Sequence, residues 1–201
     1  MPYDSHLGLK NSIGRHMLEI FGKLVILREF TDEHLNDPKY FCWLRDVETI
    51  TWIYRLEYLL PLSFSTIKEY VDNLRSSGND CFFAIHESVS DEFIGTQRIG
   101  HVDWRTGTAD MGILIGDSER RGSGYASDAL RVAIGYAFKS LSLRRLTGGT
   151  PESNTAMCKC FERVGFKQEG RLRDHLLISG QFVDHLLYGL LKKEIDFEHY
   201  K

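Results

Sequence analysis

The sequence predicts an α+β fold, with a mixed and largely antiparallel central sheet flanked by helices. Three observations carry this expectation. Strand-like runs follow one another at Cys81–His86, Phe93–Trp104 and Thr108–Ile115, with the turn pair Thr106-Gly107 before the last, which reads as an antiparallel meander. A helical pattern comes next, because Ala126, Leu130, Ala133, Ala137 and Leu141 recur at steps of three or four between Ser123 and Leu141. The chain then closes on two long strand patterns, Lys167–Ile178 and Phe182–Leu191, around the turn pair Ser179-Gly180.

The remaining elements fall between these landmarks. Leu24–Leu27 is a short apolar strand ending at Arg28. Thr31–Arg45 starts as a helix led by Thr31 and Asp32 and is interrupted at Pro38. Ile50–Leu62 is aromatic-rich and ends at Pro61, and Ser65–Arg75 is a helix with Ile67, Tyr70, Val71 and Leu74 on one face. Arg145–Thr150 is a short strand, and Asn154–Val164 is a helix with Gly165 at the position after its end. The order is β-α-α-β-β-β-α-β-α-β-β. With no internal repeat or linker-like tract, residues 20–195 read as one domain, with a polar arm at 1–19 and a short tail at 196–201.

Composition narrows the function. Of 201 residues, 42% are hydrophobic and 26% charged, and the net charge of −3 argues against a general nucleic-acid binder. No apolar run approaches the ~20 residues of a membrane span, and the start has no hydrophobic stretch for secretion, so a cytoplasmic protein with no membrane partner is expected. The four cysteines, Cys42, Cys81, Cys158 and Cys160, show no CxxC pair, and no metal-ligand spacing recurs, so neither disulfides nor a metal site is predicted.

The most informative segment is residues 115–126, Ile-Gly-Asp-Ser-Glu-Arg-Arg-Gly-Ser-Gly-Tyr-Ala, where a strand ends, a basic glycine loop follows and a helix begins. Gly122 and Gly124 permit a tight turn with no side chain in the way of a ligand. The first N–H groups of the helix have no internal partner, and the helix dipole adds ~half a positive charge there. With Arg120 and Arg121 the loop suits a pyrophosphate. A Walker loop is excluded because no Lys-Ser or Lys-Thr follows the last glycine, and the dinucleotide fingerprint is excluded by glycine spacing.

Arg121 to Ala126 match R-x-x-G-x-A, which resembles the acetyl-CoA signature of the GNAT acetyltransferases. Residues 109–117, Ala-Asp-Met-Gly-Ile-Leu-Ile-Gly-Asp, resemble the strand that precedes it in that family, and Asn154-Thr-Ala through Phe161-Glu-Arg-Val-Gly-Phe166 resembles the family's next motif. Gly170-Arg-Leu-Arg173 and Gly180 through Asp184 to Leu191 resemble the closing strands of the branch that holds the ribosomal-protein N-terminal acetyltransferases and many small-amine acetyltransferases. The resemblance covers roughly residues 20–195.

The resemblance implies the GNAT fold, splayed between the fourth and fifth predicted strands, with acetyl-CoA in the gap. Backbone at Leu114 and Ile115 is then expected to pair with the pantetheine arm. The loop from Arg120 and Arg121 through Gly122, Ser123, Gly124 and Tyr125 to Ala126 is expected to hold the pyrophosphate. Asn154 is assigned to the pantetheine arm or to capping its own helix, and Met157 and Phe161 to the cofactor wall or the core. Relatives often carry Ser at the position of Met157 and Tyr at that of Phe161, the tyrosine being the usual proton donor to the departing thiolate; this chain has neither hydroxyl. Asp110 is the candidate base, and Trp52, Tyr54 and His101 are the candidate acceptor contacts.

The activity implied is N-acetylation of a small-molecule amine or a protein N-terminus by direct attack in a ternary complex, in a monomer or homodimer. The missing tyrosine also raises a non-catalytic CoA-binding or interaction domain. Without a strong base, low-pKa amines are favoured. At pH 7.4 a lysine amine is only ~0.1% neutral, whereas an α-amino group is roughly a quarter to a third neutral.

Overall fold

The computed structural model describes residues 18–53 and 62–197. Tyr54 and most of the predicted arm, up to residue 17, lie outside the described residues. The strands are β1 Glu19–Phe21, β2 Val25–Glu29, β3 Cys81–Glu87, β4 Phe93–Asp103, β5 Thr108–Ile115, β6 Arg145–Pro151, β7 Lys167–Ile178 and β8 Gln181–Leu191. The helices are α1 Asp32–Asn36, α2 Pro38–Trp43, α3 Val47–Ile53, α4 Phe64–Ser76, α5 Tyr125–Lys139 and α6 Thr155–Arg163. The strands form one sheet in the order β1-β2-β3-β4-β5-β6-β8-β7. Its neighbours run antiparallel except β5 and β6, which are parallel. This is the GNAT fold expected above, mixed and largely antiparallel.

The pleat explains why helices cover the sheet twice. Along β3, Phe83 and Ile85 join the core that includes Leu130, Ile134 and Phe138 of α5 and Phe161 of α6. Ala84, between them, joins a second core with Phe30, Tyr40, Trp43, Ile67 and Val71 of the α1–α4 segment. Successive strand residues face opposite sides, so one strand serves both cores.

Local chemistry sets the boundaries. Pro38 splits the predicted helix into α1 and α2, with Asp37 Oδ1 accepting from Lys39 N at 2.8 Å. α5 begins at Tyr125, two residues after the expected start at Ser123, because Gly124 takes a left-handed φ of 94° just before it. The short strand β1 and helix α3 were not expected: β1 has a single half-buried residue and α3 only two buried ones. The β1 pairing means the fourth and fifth predicted strands are β5 and β6 here. The packed unit also extends past residue 195, since Phe197 lies 6.3 Å from the Phe138 ring.

Two histidines occupy the second core. Thr31 N donates to His34 Nδ1 at 3.0 Å, and His34 Nε2 lies 2.9 Å from His86 Nε2. Because Nδ1 of His34 accepts, its Nε2 carries the proton that His86 receives. His86 Nδ1 in turn reaches Asp91 O at 2.8 Å. Burial, followed by the charges of His86 and Arg28, pushes His34 down from 6.5 to about 4. The unfolded chain therefore takes up this proton before the folded protein does. The stability His34 confers is complete above 6.5 and is lost as the pH falls toward about 4. A His34→Leu variant is expected to show a flatter loss of stability across that window than wild type, measured by denaturant titration at several pH values. Equal slopes in the two proteins would remove His34 as the cause.

Candidate active site

The site is built on a failure of strand pairing. β5 and β6 pair only at Thr108↔Arg145, Ala109↔Leu146 and Asp110↔Thr147. Beyond that the strands part, while β5 stays paired to β4 as far as Gly95↔Ile115 and β6 to β8 as far as Pro151↔His185. A bulge in β4 lies beside the parting point: its register with β5 shifts between Gly100↔Asp110 and Asp103↔Thr108. His101, inside the bulge, has a φ of 51°. Two cavities of about 650 and 490 Å³ open along the split. Both are lined by Trp52, Ile53, Asp110, Gly149 and Thr150, so they are two halves of one passage.

The larger half runs along the glycine loop. Leu114, Ile115, Arg120, Arg121, Gly122, Gly124, Ala126, Asn154, Met157 and Phe161 all lie on its wall. Gly122 has a φ of 76° and open space where a Cβ would stand, which leaves the backbone bare toward a ligand. The arginines serve the loop's own shape. Arg121 donates to Ile115 O at 3.2 Å, Gly116 O at 3.1 Å and Thr49 Oγ1 at 2.8 Å, and pairs with Glu48 at 3.2 Å. Arg120 pairs with Glu87 at 2.9 Å and Glu92 at 3.1 Å. Both guanidinium groups are thus engaged within the protein, whereas the first N–H groups of a helix such as α5 have no intrahelical partner.

Ser123 and Tyr125 are not on this wall, and the Tyr125 hydroxyl turns away to donate to Glu87 Oε1. Asn154 caps α6, its Oδ1 accepting from Met157 N at 3.1 Å, which leaves its amide N–H₂ as the group it can offer a ligand. Phe161 is 1% exposed and stacks on Tyr188 at 5.1 Å between centroids. Arg163, at the end of α6, lines the same half, and among the described residues its guanidinium forms no ion pair with a carboxylate.

The smaller half holds the titratable groups. Asp110 is open to the cavity but walled by protein, so burial pushes its carboxyl up against a hydrogen bond from Thr147 Oγ1 at 3.2 Å that pulls it down. Arg145 is bound by both carboxylate oxygens of Glu169. His185 lines this half and stacks on His175 at 5.6 Å. Tyr188 lines it too, and its phenol is pushed up by burial first and then by a hydrogen bond with Cys158. His101 lines neither half. It stands in the bulge of β4 instead.

A family model described as an acetyltransferase (GNAT) domain matches residues 25–167. The chain belongs to the GNAT acetyltransferase family. It is 32% identical over 126 residues to an uncharacterized N-acetyltransferase, p20, of Bacillus licheniformis, covering 63% of this chain and 70% of that one. It is 28% identical over 121 residues to the [ribosomal protein uS5]-alanine N-acetyltransferase of Escherichia coli, covering 60% and 62%. In structure it is similar to a spermidine N-acetyltransferase from Vibrio cholerae in complex with CoA and spermine, with a TM-score of 0.76 at 19% identity over 85% of this chain and 97% of that one. Mycobacterium smegmatis RimJ in complex with CoA-disulfide is similar at a TM-score of 0.74 and 22% identity, covering 89% and 88%. Among the described residues no group of His, Cys, Asp and Glu is arranged to hold a metal, and no helix is long and apolar enough to cross a membrane.

Within this GNAT domain, sequence reasoning missed Thr147, Gly149, Arg163 and His185. The Gly148-Gly149 pair inside a strand was a usable signal of close approach; His185 had none, because β8 brings it to the site from another part of the chain. The raised Asp110 carboxyl yields a prediction. The folded protein binds this proton more tightly than the unfolded chain does. An ionised Asp110 therefore costs stability at neutral pH, and the cost disappears as the pH falls through the raised value toward the ordinary 3.8. Asp110→Asn is expected to raise the melting temperature at neutral pH and to match wild type below about pH 3, by calorimetry. A variant that melts lower than wild type at neutral pH would contradict this sign.

Proposed function

We propose that the protein transfers the acetyl group of acetyl-CoA to a primary amine, by direct attack in a ternary complex. The observation that carries the reading is the passage through the β5–β6 split, with a bare backbone loop in one half and a carboxyl group in the other. Membership of the family supports it, as do relatives named as N-acetyltransferases of a ribosomal protein and of spermidine.

The residues divide the work. N–H groups from Arg121 to Ala126 receive the pyrophosphate, and the unpaired edge of β5 at Leu114 and Ile115 receives the pantetheine amides as an added strand would. Asn154 N–H₂ and Met157 line the arm's path. Bound acetyl-CoA supplies the activated acetyl thioester. Backbone N–H groups at the β5 edge stabilise the oxyanion that develops, and closeness of the two reactants in one passage provides most of the rate. Asp110, at the last paired position of β5, orients the amine and takes up its proton. Trp52 bounds both halves. Phe161 supplies no proton, so the thiolate leaves unassisted by that position.

Two outcomes test this. Gly124→Trp places an indole where the loop backbone must be bare, and is expected to weaken CoA binding at least about ten-fold by calorimetry while far-UV circular dichroism stays native. Unchanged affinity would mean that another surface holds CoA. At neutral pH, acceptors with an α-amino group or an amino sugar should outrun lysine side chains by about 300-fold, the ratio of their neutral fractions. A preference for lysine would mean that a strong base has been overlooked.

A further inference from the structure

His185 carries information about the acceptor that the rest of the passage does not. It lies on β8, paired with Pro151 of β6 and Leu172 of β7. Its ring stacks on His175 with an interplanar angle of 18°. Its Nδ1 is buried and has no hydrogen-bond partner. Its Nε2 rests over Gly149, where an added Cβ would collide with it. Gly149 lines both halves of the passage, so Nε2 stands at their junction.

The tautomer follows from this geometry. Burial, then the nearby His175, lowers the affinity of the ring for a second proton, so one proton must be allotted to one nitrogen. On Nδ1 it would be a buried donor without an acceptor, the rarer and costlier defect. On Nε2 it faces the passage. His185 therefore presents an N–H rather than a lone pair, which makes it a donor and not a base.

The surrounding charges restrict what that donor can meet. Arg145 is engaged at both ends of its fork by Glu169. Among the described residues that line it, the smaller half thus offers neither a free cation for an acceptor's carboxylate nor, beyond Asp110, a free carboxylate for a second ammonium. We propose that His185 is a specificity-determining residue, whose Nε2–H donates to an uncharged oxygen carried by the acceptor close to its amine. The oxygen is the carbonyl of an amino amide or the hydroxyl of an amino sugar. This rests on the acetyl-transfer reading above and adds the chemistry of the acceptor to it.

The test is steady-state kinetics of wild type, His185→Leu and His185→Gln. Gln keeps an N–H₂ near the position of Nε2 but cannot act as an imidazole base. The acceptors are an alanyl peptide amide, glucosamine, free alanine, spermidine, and a fluoroalkyl amine of matched pKa that lacks oxygen. The peptide amide or glucosamine is expected to be the best wild-type acceptor. His185→Leu should raise KM for it about ten-fold, the loss of one hydrogen bond. It should leave kcat, CoA affinity and the kinetics of the oxygen-free amine unchanged, and Gln should restore most of the loss. Whichever of the two acceptors responds to Leu identifies the oxygen as carbonyl or hydroxyl. An equal rise in KM for every amine, a fall in kcat that Gln does not restore, or a wild-type preference for spermidine or free alanine would each overturn the role of His185. Wild type that binds acetyl-CoA but acetylates none of these amines would overturn the acetyl-transfer reading itself, whereas transfer without preference for oxygen overturns only the selectivity.

Discussion

The parallel pairing of β5 with β6 stops at Asp110↔Thr147, and the rest of the molecule is organised around that stop. Past it, backbone N–H and C=O groups on the facing edges of two central strands have no partner strand, and such groups must be satisfied by water or a ligand. A sheet centre left open in this way would close or fray unless each lip were held from its other side. β4 holds one lip and β8 the other. Arg121 secures the far end of β5 by binding the carbonyls of Ile115 and Gly116 and tying them to Thr49 of α3. The bulge at His101 sits level with Asp110, where β4 and β5 together must bend.

The same economy governs α5. Its buried Asp128 accepts from Leu24 N at 2.7 Å and Val25 N at 3.1 Å, which fixes the helix to the start of β2. A helix fixed at its first turn presents its free N–H groups in one direction, and the loop glycines keep that direction clear. Arg120 and Arg121 read from sequence as two charges for an anion. In the fold they are neutralised by Glu87, Glu92, Glu48 and Asp46. On the proposed reading, the loop's attraction for an anion is then mainly that of oriented peptide dipoles, which depends on geometry more than on net charge.

How much of this could be read in advance depended on the range of each interaction. Strands, turns and the main helices were legible because alternation and helical spacing are local. The glycine loop was legible for the same reason: strand end, glycines and helix start are contiguous. α3 was not, since only Thr49 and Ile50 of it are buried, and Ile50 shares its core with residues of distant segments such as Phe30 and Val71. Ser123 and Tyr125 share the loop's sequence pattern but not its wall, because Glu87 on β3 draws the tyrosine aside. His101 and His185 show the limit most clearly. One is near Asp110 in register yet spent on backbone shape, and the other is 75 positions away yet in the passage, as 185 − 110 gives.

The position of Phe161 joins fold and chemistry. The tip of its ring lies against β6, where a Cβ on Gly148 would approach Cζ to 2.5 Å. Its face stacks on Tyr188, and Phe166 packs at 5.0 Å on centroids. Cζ is the carbon from which a tyrosine oxygen would project, so a hydroxyl here would be driven into the backbone of the split strand. The phenol nearest to hand, on Tyr188, is held by burial and Cys158 as a weaker acid than usual. The ring at 161 thus supports the lip of β6 through packing, and the glycine at 148 is the concession that admits it. On the proposed reaction, a thiolate leaving beside this wall would meet hydrocarbon at position 161 rather than a proton donor. In that reaction this leaves placement of the amine as the protein's main task, with Asp110 on the β5 lip of the split and His185 on the lip formed by β6 and β8.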